Sequence, residues 1–171
     1  MSLRNLILEL PGLGKVRRVH ALEHATITIL SRRMPHLSMA GRSTPNGFWL
    51  YGTVAKEQIE SAVNEALRRL QAGEAALAIH PRCGTNLAVA GILTGVSSFL
   101  ASLSFGKDER AIDKLPRVIL AATAAVFIAQ PAGLAVQEAF TTCPDALRLS
   151  VGNIRQTKRG NLTVSFVEVK G

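Results

Sequence analysis

Between Leu87 and Phe105 the chain reads LAVAGILTGVSSFLASLSF, nineteen residues without a charge. Coiled as helix at about 1.5 Å per residue, this run is roughly 28 Å long, close to the hydrocarbon thickness of a bilayer. A second uncharged run, Val118–Val136 (VILAATAAVFIAQPAGLAV), follows the charged eleven-residue connector Lys107–Arg117. Two such spans joined by a short polar loop predict a transmembrane helical hairpin. The alternative, two buried helices of a soluble domain, fits the run lengths less well. Both runs favour Ala, Gly, Ser and Thr over Leu. Gly91 and Gly95 lie four apart, a spacing that suits close helix packing in lipid. Gln130-Pro131 predicts a kink in the second span.

The remaining sequence is polar enough to fold in water, and composition bounds what it can be. At 171 residues the chain suits one compact domain, which excludes a large multidomain enzyme. Hydrophobic residues make up 47% of a chain that carries a net charge of +8, so apolar and basic residues must be segregated. A charged fraction of 19% excludes disorder, and two cysteines exclude a disulfide scaffold. Lys and Arg number 11 in residues 1–86, 4 in the connector 107–117 and 5 in residues 141–171. That bias predicts a multi-pass protein of the inner (plasma) membrane with both termini cytoplasmic. Cytosol-facing cysteines are then expected as thiols or metal ligands.

Met1–Leu10 has Leu3, Leu6, Ile7 and Leu10 at helical spacing, but Glu9 interrupts it and no small-residue cleavage site follows. It reads as an interfacial or core-packing helix and not as a signal peptide. Pro11 to Gly14 is expected to break it, and Lys15–Arg33 to form the next helix. Leu37–Val54 reads as strand, turn (STPNG) and strand. Ala55–Leu70 is an amphipathic helix with Ile59, Val63, Leu67 and Leu70 on one face. Ala75–Ile79 reads as a short strand leading into His80. Leu147–Ile154 and Leu162–Val169 form a second hairpin around the turn Thr157–Asn161. The expected fold is α+β, a small mixed domain of helices plus two β-hairpins, interrupted by a two-helix transmembrane hairpin. Its parts are 1–86, a cytosolic α+β region; 87–140, the membrane hairpin; and 141–171, a C-terminal β-hairpin packing on the first region.

Chemistry concentrates at two places. His20-Ala21-Leu22-Glu23-His24 is an H-x-x-E-H arrangement. Residues four apart share a helix face, so His20 and His24 can direct their imidazoles at one point while Glu23 flanks it. This geometry suits a divalent metal such as Zn2+, with Glu23 either a ligand or a base that activates water. The plain alternative is a partly buried polar patch of hydrogen-bonded rings. His80-Pro81-Arg82-Cys83-Gly84 then sets an imidazole and a thiol three residues apart, immediately before the first span. Imidazole and thiolate are the donors that zinc prefers. Otherwise Cys83 is a small buried hydrophobe. Arg82 could hold an anionic group or a developing oxyanion, or anchor to lipid phosphate. In a hairpin Cys83, Cys143 and the nearby Glu138 share one membrane side. Cys143 would then be an extra ligand, a redox partner of Cys83 or a structural thiol, and Glu138 would face polar groups or pair with a basic residue. His36 has no ligand-type neighbour in sequence and reads as a loop residue.

His20-Ala-Leu-Glu23-His24-Ala-Thr26, His80-Pro81-Arg82-Cys83-Gly84-Thr85, Pro131-Ala-Gly-Leu134-Ala-Val-Gln137 and Thr141-Thr142-Cys143-Pro144-Asp145 resemble, in that order, the motifs of the YqhQ-like bacterial integral-membrane proteins. The chain is similar also to a shorter uncharacterised relative of that family, in which Gly41-Arg42-Ser43 and Gly47-Phe48 recur before Ala78-Ile79-His80-Pro81. The resemblance runs from about residue 18 to 155. It implies a metal at His20, Glu23, His24, His80 and Cys83 and supports the membrane hairpin, but implies no known reaction. Cys143 departs from it, standing where the longer proteins carry an acidic residue, and those proteins have additional spans.

Two functions follow. One is a metal-dependent hydrolase at the membrane surface, with His20, His24 and His80 or Cys83 as ligands of zinc or another divalent transition metal. Glu23 would activate water, Arg82 would support the reaction, and the substrate would be a lipid, a membrane-bound protein or a small amphiphile. The other is a non-enzymatic accessory or assembly protein in which His20, His24, His80 and Cys83 form a closed structural site. Expected partners are membrane lipids, a membrane protein or a second copy of the chain. The basic residues are scattered and no recognition motif interleaves them, so no specific nucleic acid is expected.

Overall fold

A proline opens the first described helix. The computed structural model describes residues 10–103, 110–160 and 162–171. Helix α1 (Pro11–Arg33) starts at Pro11, four residues before the expected Lys15. A proline in the first turn loses no helical hydrogen bond, because that amide has no intrahelical partner, so Pro11 initiates where a break was expected. The amphipathic segment expected over Met1–Leu10 lies almost wholly outside the described residues. The chain divides into two compact units, one running to His80 and resuming at Glu138–Gly171, the other Pro81–Gln137.

In the first unit, α1 is followed by β1 (Ala40–Thr44), β2 (Gly47–Tyr51), α2 (Lys56–Gln71), a 3-10 turn (Ala75–Ala78), β3 (Ser150–Arg159) and β4 (Leu162–Lys170). The strand expected at Ala75–Ile79 is therefore a 3-10 turn. Four apolar residues carry no period that separates the two. The β1–β2 turn is Pro45-Asn46, with both strands shorter than expected. The β3–β4 turn is also shorter, because Thr157 and Lys158 remain paired with Val164 and Thr163.

All pairings are antiparallel, and the two hairpins merge through β2 and β4 into one sheet of order β1-β2-β4-β3. One face of this sheet is the core. Phe48 and Leu50 of β2 and Val167 and Val169 of β4 are buried at period two, and α1 and α2 cover them with Leu22, Leu30, Ile59 and Val63. On the opposite face a single cross-strand row holds Arg42, Trp49, Phe166 and Arg155.

At the outer edge of α2, Glu65 accepts from Arg33 and, at 3.3 Å, from Arg69, while Arg69 also donates to Glu74 at 2.6 Å. The Arg33 hydrogen bond holds the Glu65 carboxyl below its ordinary value, and Arg69 does the same for Glu74. Both carboxylates are therefore protonated more readily in the unfolded chain. Their contribution is complete above the ordinary carboxylate pKa and disappears as pH falls through the lower folded values. Thermal stability is expected to drop over that acidic window. Glu65→Gln should flatten the drop, and high salt should shrink it, since the pairs are solvent-facing.

The second unit is a helical hairpin of α3 (Gly84–Ser102) and α4 (Ala111–Val136); a π-helical turn, Gln137–Thr141, follows α4. Helix α3 begins three residues before the expected run, and α4 takes in the end of the connector. Both helices are long and apolar enough to cross a membrane. Their outer residues are apolar, as with Leu87 (77% exposed), Leu120 and Phe127. The small residues that pack are not the expected pair. Gly91 and Gly95 are exposed, and a methyl group at either would meet nothing. Instead Ala125, Ala129 and Gly133 form a buried stripe at four-residue spacing on α4, and a Cβ at Gly133 would lie 2.4 Å from Asn86 Oδ1. Asn86 is fully engaged, donating to Pro81 O at 2.7 Å and accepting from the buried Gln137 at 2.6 Å. Toward the opposite end of the hairpin Arg117 donates to Ala101 O at 2.7 Å. Pro116 and Pro131 both lie within α4.

Candidate metal centre

The H-x-x-E-H segment occupies the middle of α1, where Val19, Leu22 and Ala25 face the core and hold the helix in place. His20 and His24 stack one turn apart, ring centroids 4.2 Å apart and planes at 61°. A main-chain carbonyl orients each ring: Thr141 O lies 2.9 Å from His20 Nδ1, and Ala78 O lies 2.7 Å from His24 Nδ1. A carbonyl oxygen only accepts, so Nδ1 carries the proton in both rings. In the neutral imidazole Nε2 is then the acceptor nitrogen. Carbonyls that fix the tautomer in this way are the usual outer shell of metal-binding histidines. Two further bonds tie α1 to the same segment as Thr141: Arg17 donates to Thr142 O at 3.0 Å, and the Cys143 amide donates to Arg17 O at 3.1 Å.

His24 is buried and His20 half-buried. His80 follows the 3-10 turn that supplies the Ala78 carbonyl, and its ring centroid is 5.8 Å from that of His24. The first unit thus brings three of the four histidines together, while His36 is exposed in a loop. Glu23 is buried and turned toward β1, where its carboxylate accepts from the Ser43 hydroxyl. It packs so tightly on the strand that a Cβ at Gly41 would fall 2.1 Å from Oε1.

In the second unit Cys83 is a buried thiol, not in a disulfide, that caps α3, with Sγ accepting from the Thr85 amide at 3.4 Å. Arg82 beside it is exposed. Chain connectivity alone keeps Cys83 within three residues of His80. Among the described residues His20 and His24 of the first unit, and Cys83 of the second, are candidate metal donors. That group does not include Glu23 or His80. Two neutral imidazoles with fixed tautomers and a thiol are a donor set suited to zinc and similar divalent transition metals. Cys143 is a half-buried free thiol, and Glu138 is exposed on the π-helical turn.

Spacing indicated the two histidines, but the groups that orient them could not be read from it. The Thr141 and Ala78 acceptors are main-chain atoms, present at every residue whatever its type. Ser43 and Gly41 belong to the Gly41-Arg42-Ser43 segment, and their role toward Glu23 is visible only once β1 lies against α1.

A family profile described as a domain of unknown function, DUF6391, matches residues 15–154, from the first turns of α1 to the middle of β3. An uncharacterized protein of Picosynechococcus sp. is 39% identical over 154 residues, covering 81% of this chain and 74% of that protein. No solved structure matches. With His20, His24, Cys83 and both apolar helices inside the matched segment, the chain belongs to the DUF6391 family.

Proposed function

We propose that this protein is an integral-membrane metalloprotein whose His20, His24 and Cys83 hold a zinc-type ion, and that it acts as a metal-dependent hydrolase at the membrane surface. The observation that carries this reading is the pair of Nδ1–carbonyl contacts, which makes Nε2 the acceptor nitrogen of both rings on one helix face. Three protein donors leave a tetrahedral ion one open position, and the ion would there supply Lewis acidity toward a carbonyl or phosphoryl oxygen. Glu23 is then the base that takes a proton from water, with Ser43 holding its carboxylate and Gly41 giving it room. Arg82 offers a cation to the charge that develops on the substrate. Since Cys83 opens the first apolar helix, a lipid or other membrane-bound amphiphile is the substrate class. The YqhQ-like resemblance, a multi-pass arrangement in the inner membrane, cytoplasmic termini and a membrane-protein or homo-oligomeric partner belong to the same proposal.

The His24–His80 ring proximity favours one other reading. If His80 supplies a fourth donor, the site is closed and purely structural. X-ray absorption on zinc-loaded, detergent-solubilised protein separates the two: three protein donors with one exogenous oxygen support the hydrolase, four protein donors the staple. Glu23→Gln is expected to keep the metal and to abolish hydrolysis of ester or phosphoester amphiphiles. Loss of the metal along with activity would instead make Glu23 a ligand.

A further inference from the structure

Where the β1–β2 turn meets the end of β4, the first unit carries an open recess of about 420 Å³, lined by Lys15, Asn46, Arg155, Phe166, Glu168 and Lys170 among others. The volume falls in the range of small-molecule sites. Lys15, Arg155 and Lys170 bring three cations to it, beside Glu168 and the last residue, Gly171, and the Glu168 carboxylate is already engaged. Glu168 Oε2 accepts from the Asn153 amide at 3.1 Å, and Oε1 lies 4.0 Å from Lys170 Nζ. Among the described residues no carboxylate forms an ion pair with Lys15 or Arg155.

Arg155 is pre-positioned. Its guanidinium lies 5.2 Å from the centroid of the Phe166 ring, which is buried and tilted against Trp49 at 4.7 Å. A guanidinium seated on an aromatic ring gives up less conformational freedom on binding an anion than a free one. We propose that this recess binds a phosphate monoester, with the phosphate between Lys15 and Arg155 and the organic portion against Phe166 and Asn46. Lys15 and Arg155 together supply two cations for a dianion, whereas a carboxylate would leave one of them uncompensated. The recess also has more volume than a bare phosphate fills. A soluble phosphomonoester and the headgroup of phosphatidic acid present the same chemistry. The site is separate from the metal centre and does not depend on it.

Trp49 is the chain's single tryptophan, and it touches Phe166, so its fluorescence reports on the recess. Detergent-solubilised full-length protein titrated with phenyl phosphate, and protein in nanodiscs with or without phosphatidic acid, are the two arms. A saturable change in either arm, with Kd raised about tenfold by Arg155→Gln and by Lys15→Gln, supports the proposal, and the responding arm identifies the source. Both residues are at the surface, so the variants should fold. The proposal is overturned if neither arm saturates, if sodium chloride at equal ionic strength reproduces the change, or if both variants respond like the parent protein.

Discussion

His24→Ala is expected to reduce bound zinc from about one equivalent per chain to less than about a tenth, and to destabilise the first unit by roughly 3 kcal/mol. The two losses have different origins. The metal is lost because one of two adjacent imidazole donors is gone, and the thiol and the remaining ring cannot replace it. The stability is lost because His24 is 2% exposed. Removing its ring opens a cavity at a buried position of α1 and leaves the Ala78 carbonyl without its 2.7 Å donor. His20→Ala should remove the metal at a smaller cost in stability, because His20 is only half-buried. Metal analysis together with chemical unfolding of both variants tests this. Zinc retained at parental stoichiometry in His24→Ala would show that the ion sits elsewhere.

How much of this was legible in the sequence depended on the range of the interaction. The H-x-x-E-H spacing, the Ile59–Val63–Leu70 face of α2 and the two uncharged runs are local patterns, and each gave an element of the right type. The start of α1 falls four residues before the expected Lys15 because a proline signals both a break and a start. The small-residue stripe was misplaced for a related reason. Gly91 and Gly95 have the spacing of a packing face, yet so do Ala125, Ala129 and Gly133, and only the partner helix selects between them. The pairing of β2 with β4 joins segments more than a hundred residues apart, on either side of the apolar hairpin. Nothing in either hairpin alone announces it. The same distance hides the Thr141 carbonyl behind His20, so the donors were readable and their orientation was not.

That long-range seam is where a single methyl group should do the most damage to the fold. Gly47 begins β2, pairs with Thr44 on one side and Glu168 on the other, and adopts φ +141°. L-residues rarely adopt this conformation, at a cost of about 1–3 kcal/mol. A Cβ there would also lie 2.0 Å from Val167 O, a main-chain atom fixed in β4 that cannot rotate aside. Relief requires β2 and β4 to separate, which would break the register that seats Phe48 and Val167 in the core. Gly47→Ala is therefore expected to cost roughly 3–5 kcal/mol, a large part of the stability of an ordinary domain. Gly73→Ala provides the comparison. Gly73 has φ +91°, but a Cβ there meets nothing within 4 Å, so it carries the dihedral cost alone. The difference between the two variants in unfolding free energy measures the collision at the seam. Equal losses would mean that β2 and β4 accommodate the methyl group by local adjustment. A much larger loss at Gly47 would identify the β2–β4 junction as the contact on which the four-stranded sheet depends.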